Sequence, residues 1–527
     1  MAASVMLSDL EVAVISRIRA LSAFDAQYNG SRRYPPRSKC HPGTRMDILD
    51  TISNWVHDKS SQYQIMWLQG DPGSGKSAIA YSLAHLESDK SLLGTFFFSH
   101  DDPCCNNERC LFINIALYIT RRLHQSRGVI TSNIVNDLFI FLRSTREQFQ
   151  KLVIEPMQVF SDTNPPDRFL LIIDGLDECR GDEIQESIVM LLGDAISSGQ
   201  LPLRILFTSQ PSPHLMAAFS SPAIGKVTRS LDLGSINASD DIRLFVKDEF
   251  SRIYKKFDLS KDHYPVSWPG NDVIEELVSR SSGLFLYPSI VLQYIAGRRS
   301  DIPPAELPRF IRAWNEGYEC EGPFAELDLL YHTILSRHSD TSGTAAVLAA
   351  MDAIHYEWHR TSQSLQALLS PSYSYDVSSI IATMRPLANR DTLHILHPSV
   401  YEFVRDPLRA RRFYVPSGKM HVDLTTGCLS IIMEHGNQSL RQRLEDPLLE
   451  VKYAANNWIY HIMHSEPTVE SLRQWYHVGL KRRIWELAAD WYIPFSVNPA
   501  EIAIAWPLSV AWYRAKRFSP HGVALSS

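Results

Sequence analysis

Between Thr44 and Leu233 the chain alternates short, wholly apolar runs with stretches in which apolar residues recur every three or four positions. The runs QIMWL (64–68), GTFFFS (94–99), FLLII (169–173) and RILFT (204–208) read as strands, with a weaker one at Val227–Leu233. Lys76–Leu86, Cys110–Leu123 and Ile184–Ile196 read as helices. Strands without a polar face, separated by helices, predict a parallel sheet covered on both sides. Beyond Asp240 helical periods take over, at 241–255, 272–280 and 284–297, broken by PVSWPG at 265–270. A mixed segment, Phe324–Val415, is expected to end in a short strand pair around LHILHPSVYEF (393–403). From Gly418 the pattern is helical, with Trp458, Trp475, Trp485, Trp491, Trp506 and Trp512 read chiefly as helical core. Ahead of the sheet, Leu7–Phe24 has an amphipathic period and is expected either to pack on the core or to be partly disordered, and GSRRYPPRSKCHPG (30–43) reads as a linker.

Composition narrows the class. A chain of 527 residues exceeds one core, and 45% hydrophobic with 21% charged residues excludes a disordered chain. The formal net charge of −6 offers no global basic field, so no specific nucleic-acid partner is expected. Seven cysteines are too few and odd in number for a disulfide framework, which favours reduced thiols and a cytoplasmic location. The N-terminus MAASVMLSDLEVAVISRIRA carries acids inside its apolar stretch and is not a signal peptide. The run Ile502–Tyr513 contains Pro507 and falls short of the roughly 20 residues a membrane span needs. No repeat is visible.

One loop carries the chemistry. GDPGSGKS (70–77) follows a strand and opens a helix, and its spacing is that of a phosphate-binding P-loop. Backbone N–H groups of such a loop form an anion nest at the positive end of a helix dipole. The candidate cradle is Gly70, Asp71, Pro72, Gly73, Ser74, Gly75, Lys76, Ser77 and Ala78. Gly73 and Gly75 let the backbone take positive φ close to a phosphate. Lys76 supplies a charge for the β- and γ-phosphates, and the Ser77 hydroxyl is a ligand for Mg²⁺.

A matching acid is expected at a neighbouring strand tip, and FLLIIDGLDE (169–178) provides it. Asp174 leaves the buried strand at its C-terminal edge, where open α/β sheets bind ligands, and is the second Mg²⁺ candidate. Asp177 and Glu178 follow as candidates to orient or deprotonate an attacking water. Thr208-Ser209-Gln210-Pro211 ends the next strand: a polar residue there either touches the γ-phosphate or simply closes a turn. His100, Cys104, Cys105 and Cys110 form H-x₃-C-C-x₄-C, which fits no usual structural zinc pattern and reads as a solvent loop with a helix-facing Cys110.

GDPGSGKS, FFFSHDD, LLIIDGLDE and LFTSQPSP, in this order, resemble the NACHT domain of the STAND class of P-loop NTPases. SSGLFLYPSIVLQYI (281–295) resembles the helical segment after that core, and LHILHPSVYEFV (393–404) the winged-helix segment of large fungal NACHT proteins. CHPGTRMDILDTISNWV (40–56) resembles the lead-in these proteins share with the nephrocystin-type module. The resemblance covers about residues 38–465. It implies an α/β P-loop NTPase core with a parallel sheet (41–236) after an N-terminal helix and linker (1–40). A helical domain (237–322), a winged-helix-like domain (323–416) and a C-terminal helical region (417–527) follow. It further implies an ATP/ADP switch with slow hydrolysis that self-associates or engages protein partners. In that scheme His397 reaches the β-phosphate of ADP, and Pro288 stands near the place of a proline against the adenine. The family carries arginine in TSRP where this chain has Gln210, and an amide supplies neither charge nor a bidentate fork.

Two other classes compete with the switch. A nucleotide kinase would want an arginine-bearing lid and rarely appends a winged helix. A nucleotide-bound scaffold or truncated paralogue without turnover is the reading that Gln210 keeps open.

Overall fold

The computed structural model describes residues 9–475, except 31–37, 101, 103, 164–168, 262–263, 297–306, 309–310, 312–323, 355–360, 385, 389–392, 394, 398, 436–448 and 473–474. It divides into two compact units, residues 1–307 and 308–527.

The first unit is built on five strands: β1 (Ile65–Gln69), β2 (Leu92–Phe97), β3 (Phe169–Asp174), β4 (Leu203–Ser209) and β5 (Thr228–Asp232). All pair in parallel, in the order β2-β3-β4-β1-β5. The expected strands and sheet type are therefore present. Strand side chains alternate between faces, and each set has its own core. Ile65, Trp67, Leu171, Ile173, Ile205 and Phe207 pack under α4 (Glu108–Arg122), α8 (Asp182–Ser197) and α9 (Pro213–Phe219). Met66, Leu68, Leu170, Ile172 and Leu206 pack under α2 (Met46–His57) and α3 (Lys76–Glu87). Leu170 to Ile173 are fully buried, and each such side chain stabilises the fold by roughly 1.5–3 kcal/mol.

This division of helices places the site. The connection leaving β1 crosses one face through α3, whereas the connection leaving the adjacent β4 crosses the other through α9. A crevice opens where neighbouring strands send their chains to opposite faces, at the carboxyl ends of β1 and β4.

Helix α1 (Asp9–Leu21) packs on α4 and α5 (Arg127–Asn136), the first of the two alternatives its amphipathic pattern left open. Asn114 of α4 fixes the chain after it by reciprocal bonds to the N–H and carbonyl of Ala23, both 2.8 Å. The pattern had assigned nothing between Leu123 and Phe169, where the structure adds α5, α6 (Thr145–Phe149) and α7 (Glu155–Thr163). These helices are short and bury residues toward several neighbours at once, so no single apolar stripe marks them. After the sheet come α10 (Ser239–Lys256), α11 (Asn271–Arg280) and α12 (Leu286–Ala296), close to the three helical periods read from sequence.

The second unit is helical among its described residues: Ala325–Leu335, Thr341–Ala353, Ser362–Leu369, Val377–Thr383, Ser399–Arg405, Ser417–His435 and Leu449–His464. Among the described residues, the expected strand pair is represented by one antiparallel bridge, Ala388 to Ile395. Buried Asp328 holds Arg409 at 2.8 Å. Of the six tryptophans, Trp458 and Trp475 are buried as expected, and Trp485, Trp491, Trp506 and Trp512 lie outside the described residues, as does Ile502–Tyr513. No helix of the described residues is long and apolar enough to cross a membrane.

Candidate phosphate site

Loop 70–75 leaves β1 and turns directly into α3. Gly73 and Gly75 sit at φ +81° and +98°, the conformation that turns successive N–H groups inward and that a side chain would strain. Nothing lies within 4 Å of where a Cβ on Gly75 would stand, so the space beside that residue is open. The Ser74 hydroxyl is buried without a hydrogen-bond partner. Lys76 Nζ folds over the loop and donates to the carbonyls of Gly70 (2.6 Å) and Asp71 (3.0 Å). Ser77 and Ala78 occupy the first turn of α3, where the helix dipole is positive.

The acidic strand tip lies two strands away, because β4 is inserted between β1 and β3. At a strand spacing of about 4.8 Å this sets the end of β3 roughly 10 Å from the end of β1. Asp174 is 3% exposed at that end. Gly175 turns the chain with φ +68°, and Leu176–Glu178 form one 3-10 turn. An Asp177 carboxylate oxygen is buried without a partner, and Glu178 accepts the N–H of His100 at 3.3 Å.

The tip of β4 joins the two halves. Gly70 N–H donates to the carbonyl of Ser209 at 3.3 Å. Thr208 Oγ1 donates to Asp174 Oδ1 at 2.6 Å and accepts the N–H of Gly175 at 3.0 Å. The Ser209 hydroxyl accepts Trp67 Nε1 at 2.8 Å and donates to the carbonyl of Gln210. Of the three polar residues at this tip, Thr208 and Ser209 are turned inward to protein partners. Gln210 follows them and is partly buried.

Three residues at the loop were not singled out from sequence. Arg45 is 4% exposed, donates through Nη2 to the carbonyl of Ser74 at 2.8 Å, and lies 5.0 Å from the ring centre of Phe285. Its Nε and Nη1 are buried without partners. Burial pulls its pKa down from the usual arginine value, against the neighbouring Asp241 carboxylate, which accepts the Arg45 backbone N–H at 3.0 Å. Leu286 N–H donates to the carbonyl of Gly73 at 3.3 Å, and a Cβ on Gly73 would stand 2.4 Å from that of Leu286. The only clue to Arg45 was a cation placed just ahead of the apolar face of α2. The segment 281–295 thus meets the loop through Phe285 and Leu286, and Pro288 is buried within α12.

His397 belongs to the second unit. Its Nδ1 accepts the N–H of Ser399 at 3.1 Å and lies 2.7 Å from Ser399 Oγ, which in turn lies 2.6 Å from Tyr331 OH. That network assigns the ring hydrogen to Nε2.

Among the cysteines, Cys104 is exposed and Cys110 packs against the core from α4. Cys105, expected in a solvent loop, is instead 1% exposed, with its thiol 3.1 Å from Asp102 Oδ2. Among the described residues no group of three or more His, Cys, Asp or Glu is arranged to hold a metal.

The donor set suits a phosphate chain with a hard divalent cation. The loop offers N–H groups, an orphan hydroxyl and an ammonium, and the facing strand tip offers a carboxylate.

Residues 43–210 match the family described as Nephrocystin 3, N-terminal, a segment that runs from just ahead of α2 to the tip of β4. No curated protein matches the chain in sequence. Among solved structures, the chain is similar to a Signal Transduction ATPase with Numerous Domains protein carrying a tetratricopeptide repeat sensor, from Pyrococcus horikoshii. That likeness has 10% identity and a TM-score of 0.39, and covers 91% of this chain and 63% of the other. This chain therefore spans less than two thirds of that neighbour's length. It is also similar to Cdc6p from Pyrobaculum aerophilum, at 13% identity and a TM-score of 0.32, covering 73% of this chain and 96% of that one. The fold of the first unit is that of a P-loop NTPase core.

Proposed function

We propose that this chain, which shares its P-loop segment with the nephrocystin-type family, is a nucleotide-operated signalling switch of the STAND kind. The loop 70–78 would hold the phosphates of ATP or ADP, with Ser77 and Asp174 holding Mg²⁺. The cation would offset charge on the phosphates, and Asp177 or Glu178 would orient a water for slow hydrolysis. The observation that carries this reading is the grip on the phosphate loop from outside it. The carbonyl of Gly73 is bonded by the first turn of α12, and that of Ser74 by Arg45. A loop that shifts when the γ-phosphate arrives pulls on a helix beyond the sheet, so occupancy is felt outside the site. In the closed state of such a switch, His397 would contact the β-phosphate of ADP. Opening would then expose surfaces for self-association or protein partners.

The test is to identify the nucleotide that co-purifies and to follow ADP release, phosphate release and solution size. Bound ADP, slow turnover and an ATP-dependent change in size fit the switch. Rapid exchange with no change in size or in α12 overturns it.

A second reading has one observation behind it. Gln210 stands where the family supplies an arginine, which favours a nucleotide-bound scaffold without turnover. Retained nucleotide with no phosphate release would select it.

A further inference from the structure

We propose that Thr208 is a positioning residue that commits one oxygen of Asp174, so that the site discriminates magnesium from calcium. The inference rests on the reading of this crevice as a metal-nucleotide site.

The hydroxyl of Thr208 has one hydrogen, and its direction is fixed by its surroundings. Its oxygen accepts the N–H of Gly175 at 3.0 Å, so the O–H is directed to Asp174 Oδ1 at 2.6 Å. Thr208 is fully buried, and a β-branched side chain on a strand has little freedom at χ1. Asp174 is anchored from a third direction, since its carbonyl accepts the N–H of Phe98 at 2.8 Å. The carboxylate therefore cannot turn without breaking a buried, charge-assisted bond.

This geometry bears on the metal. Calcium takes six to eight oxygens and readily uses both oxygens of one carboxylate, whereas magnesium keeps several waters and takes a single carboxylate oxygen or a water bridge. Bidentate chelation by Asp174 would require Oδ1 to serve the metal and the Thr208 hydrogen bond together, in an orientation that bond already restricts, whereas monodentate or water-bridged binding through Oδ2 would leave it undisturbed. Thr208 is thus the partner behind the ligand that fixes how the ligand presents itself, a role usually worth 10- to 100-fold in metal affinity.

The experiment uses the full chain and a fluorescent ATP analogue, with affinity measured in chelator, in Mg²⁺ and in Ca²⁺. Wild type should bind more tightly with Mg²⁺ than with Ca²⁺. Thr208→Val should bind within about twofold of wild type in chelator yet lose roughly 10- to 100-fold of the Mg²⁺ enhancement. Its Ca²⁺ enhancement should persist, and Thr208→Ser should restore the Mg²⁺ preference. A folded Thr208→Val with an unchanged Mg²⁺-to-Ca²⁺ ratio overturns the proposal. So does wild type in which Ca²⁺ serves as well as Mg²⁺, a result that needs no variant. If wild type binds no nucleotide under any condition, or Lys76→Ala binds as well as wild type, the nucleotide reading itself fails and takes this inference with it.

Discussion

Arg45 Nη2 donates to the carbonyl of Ser74 at 2.8 Å, from a guanidinium that is almost wholly buried behind the phosphate loop. A buried cation on a backbone carbonyl of the phosphate loop ties the lead-in helix α2 to the state of that loop. Arg45→Met keeps much of the volume and removes the donor. It should speed ADP release by about 5- to 150-fold, the range of a coupling worth 1–3 kcal/mol. Stopped-flow release of a fluorescent ADP decides it, and an unchanged rate would separate Arg45 from the site.

Gly73→Ala attacks the same coupling from the other side. The position has φ +81°, which costs a side-chain-bearing residue roughly 1–2 kcal/mol, and the new methyl would meet Leu286 Cβ at 2.4 Å. The expected result is a lowered melting temperature together with faster hydrogen exchange in the first turn of α12. Protection of α12 equal to wild type would show that the loop and helix are not coupled.

Lys76→Ala should leave the fold intact, because Lys76 is part-buried at the loop and its amine donates to two carbonyls of that same loop. It should abolish the nucleotide-induced stabilisation, which for wild type at about 100 times Kd is roughly 2.7 kcal/mol. Thermal shift with and without nucleotide reads this directly.

Asp177→Asn and Glu178→Gln should bind ATP normally and slow phosphate release, since an acid acting on water matters in the transition state and not in the resting complex. Asp174→Asn should instead weaken the Mg²⁺-dependent part of binding. Equal turnover in all three would place hydrolysis elsewhere.

Burial pushes the thiols of Cys110 and Cys179 up to about 12 from an ordinary value near 9. Between those values the unfolded chain releases both protons while the folded chain keeps them, so the unfolded state binds fewer protons. Stability therefore falls as pH rises through that window and is unaffected by these groups below it. Urea midpoints across the window check the sign. Iodoacetamide at neutral pH should label exposed Cys104 long before Cys110 or Cys179.

The phosphate loop and the acidic tip were legible in the sequence because each is a contiguous stretch whose spacing is its geometry. The five strands were legible too, since buried parallel strands have no polar face to dilute their pattern. What the sequence determined was therefore local: a strand, Gly70 to Ser77, a helix; a strand, Asp174, an acidic turn. The order of the strands was not local. That β4 stands between β1 and β3 follows from how helices distribute over two faces, and it is what brings Thr208 to Asp174 and Gly70 to Ser209. The same holds for Arg45 on Ser74 and Leu286 on Gly73, contacts between segments whose patterns do not refer to each other. Read as residue types, the polar residues at the tip of β4 could not be told apart, and Gln210 was the one taken as a phosphate candidate. Only packing, by burying the Thr208 hydroxyl against the Asp174 carboxylate, gave that residue its work.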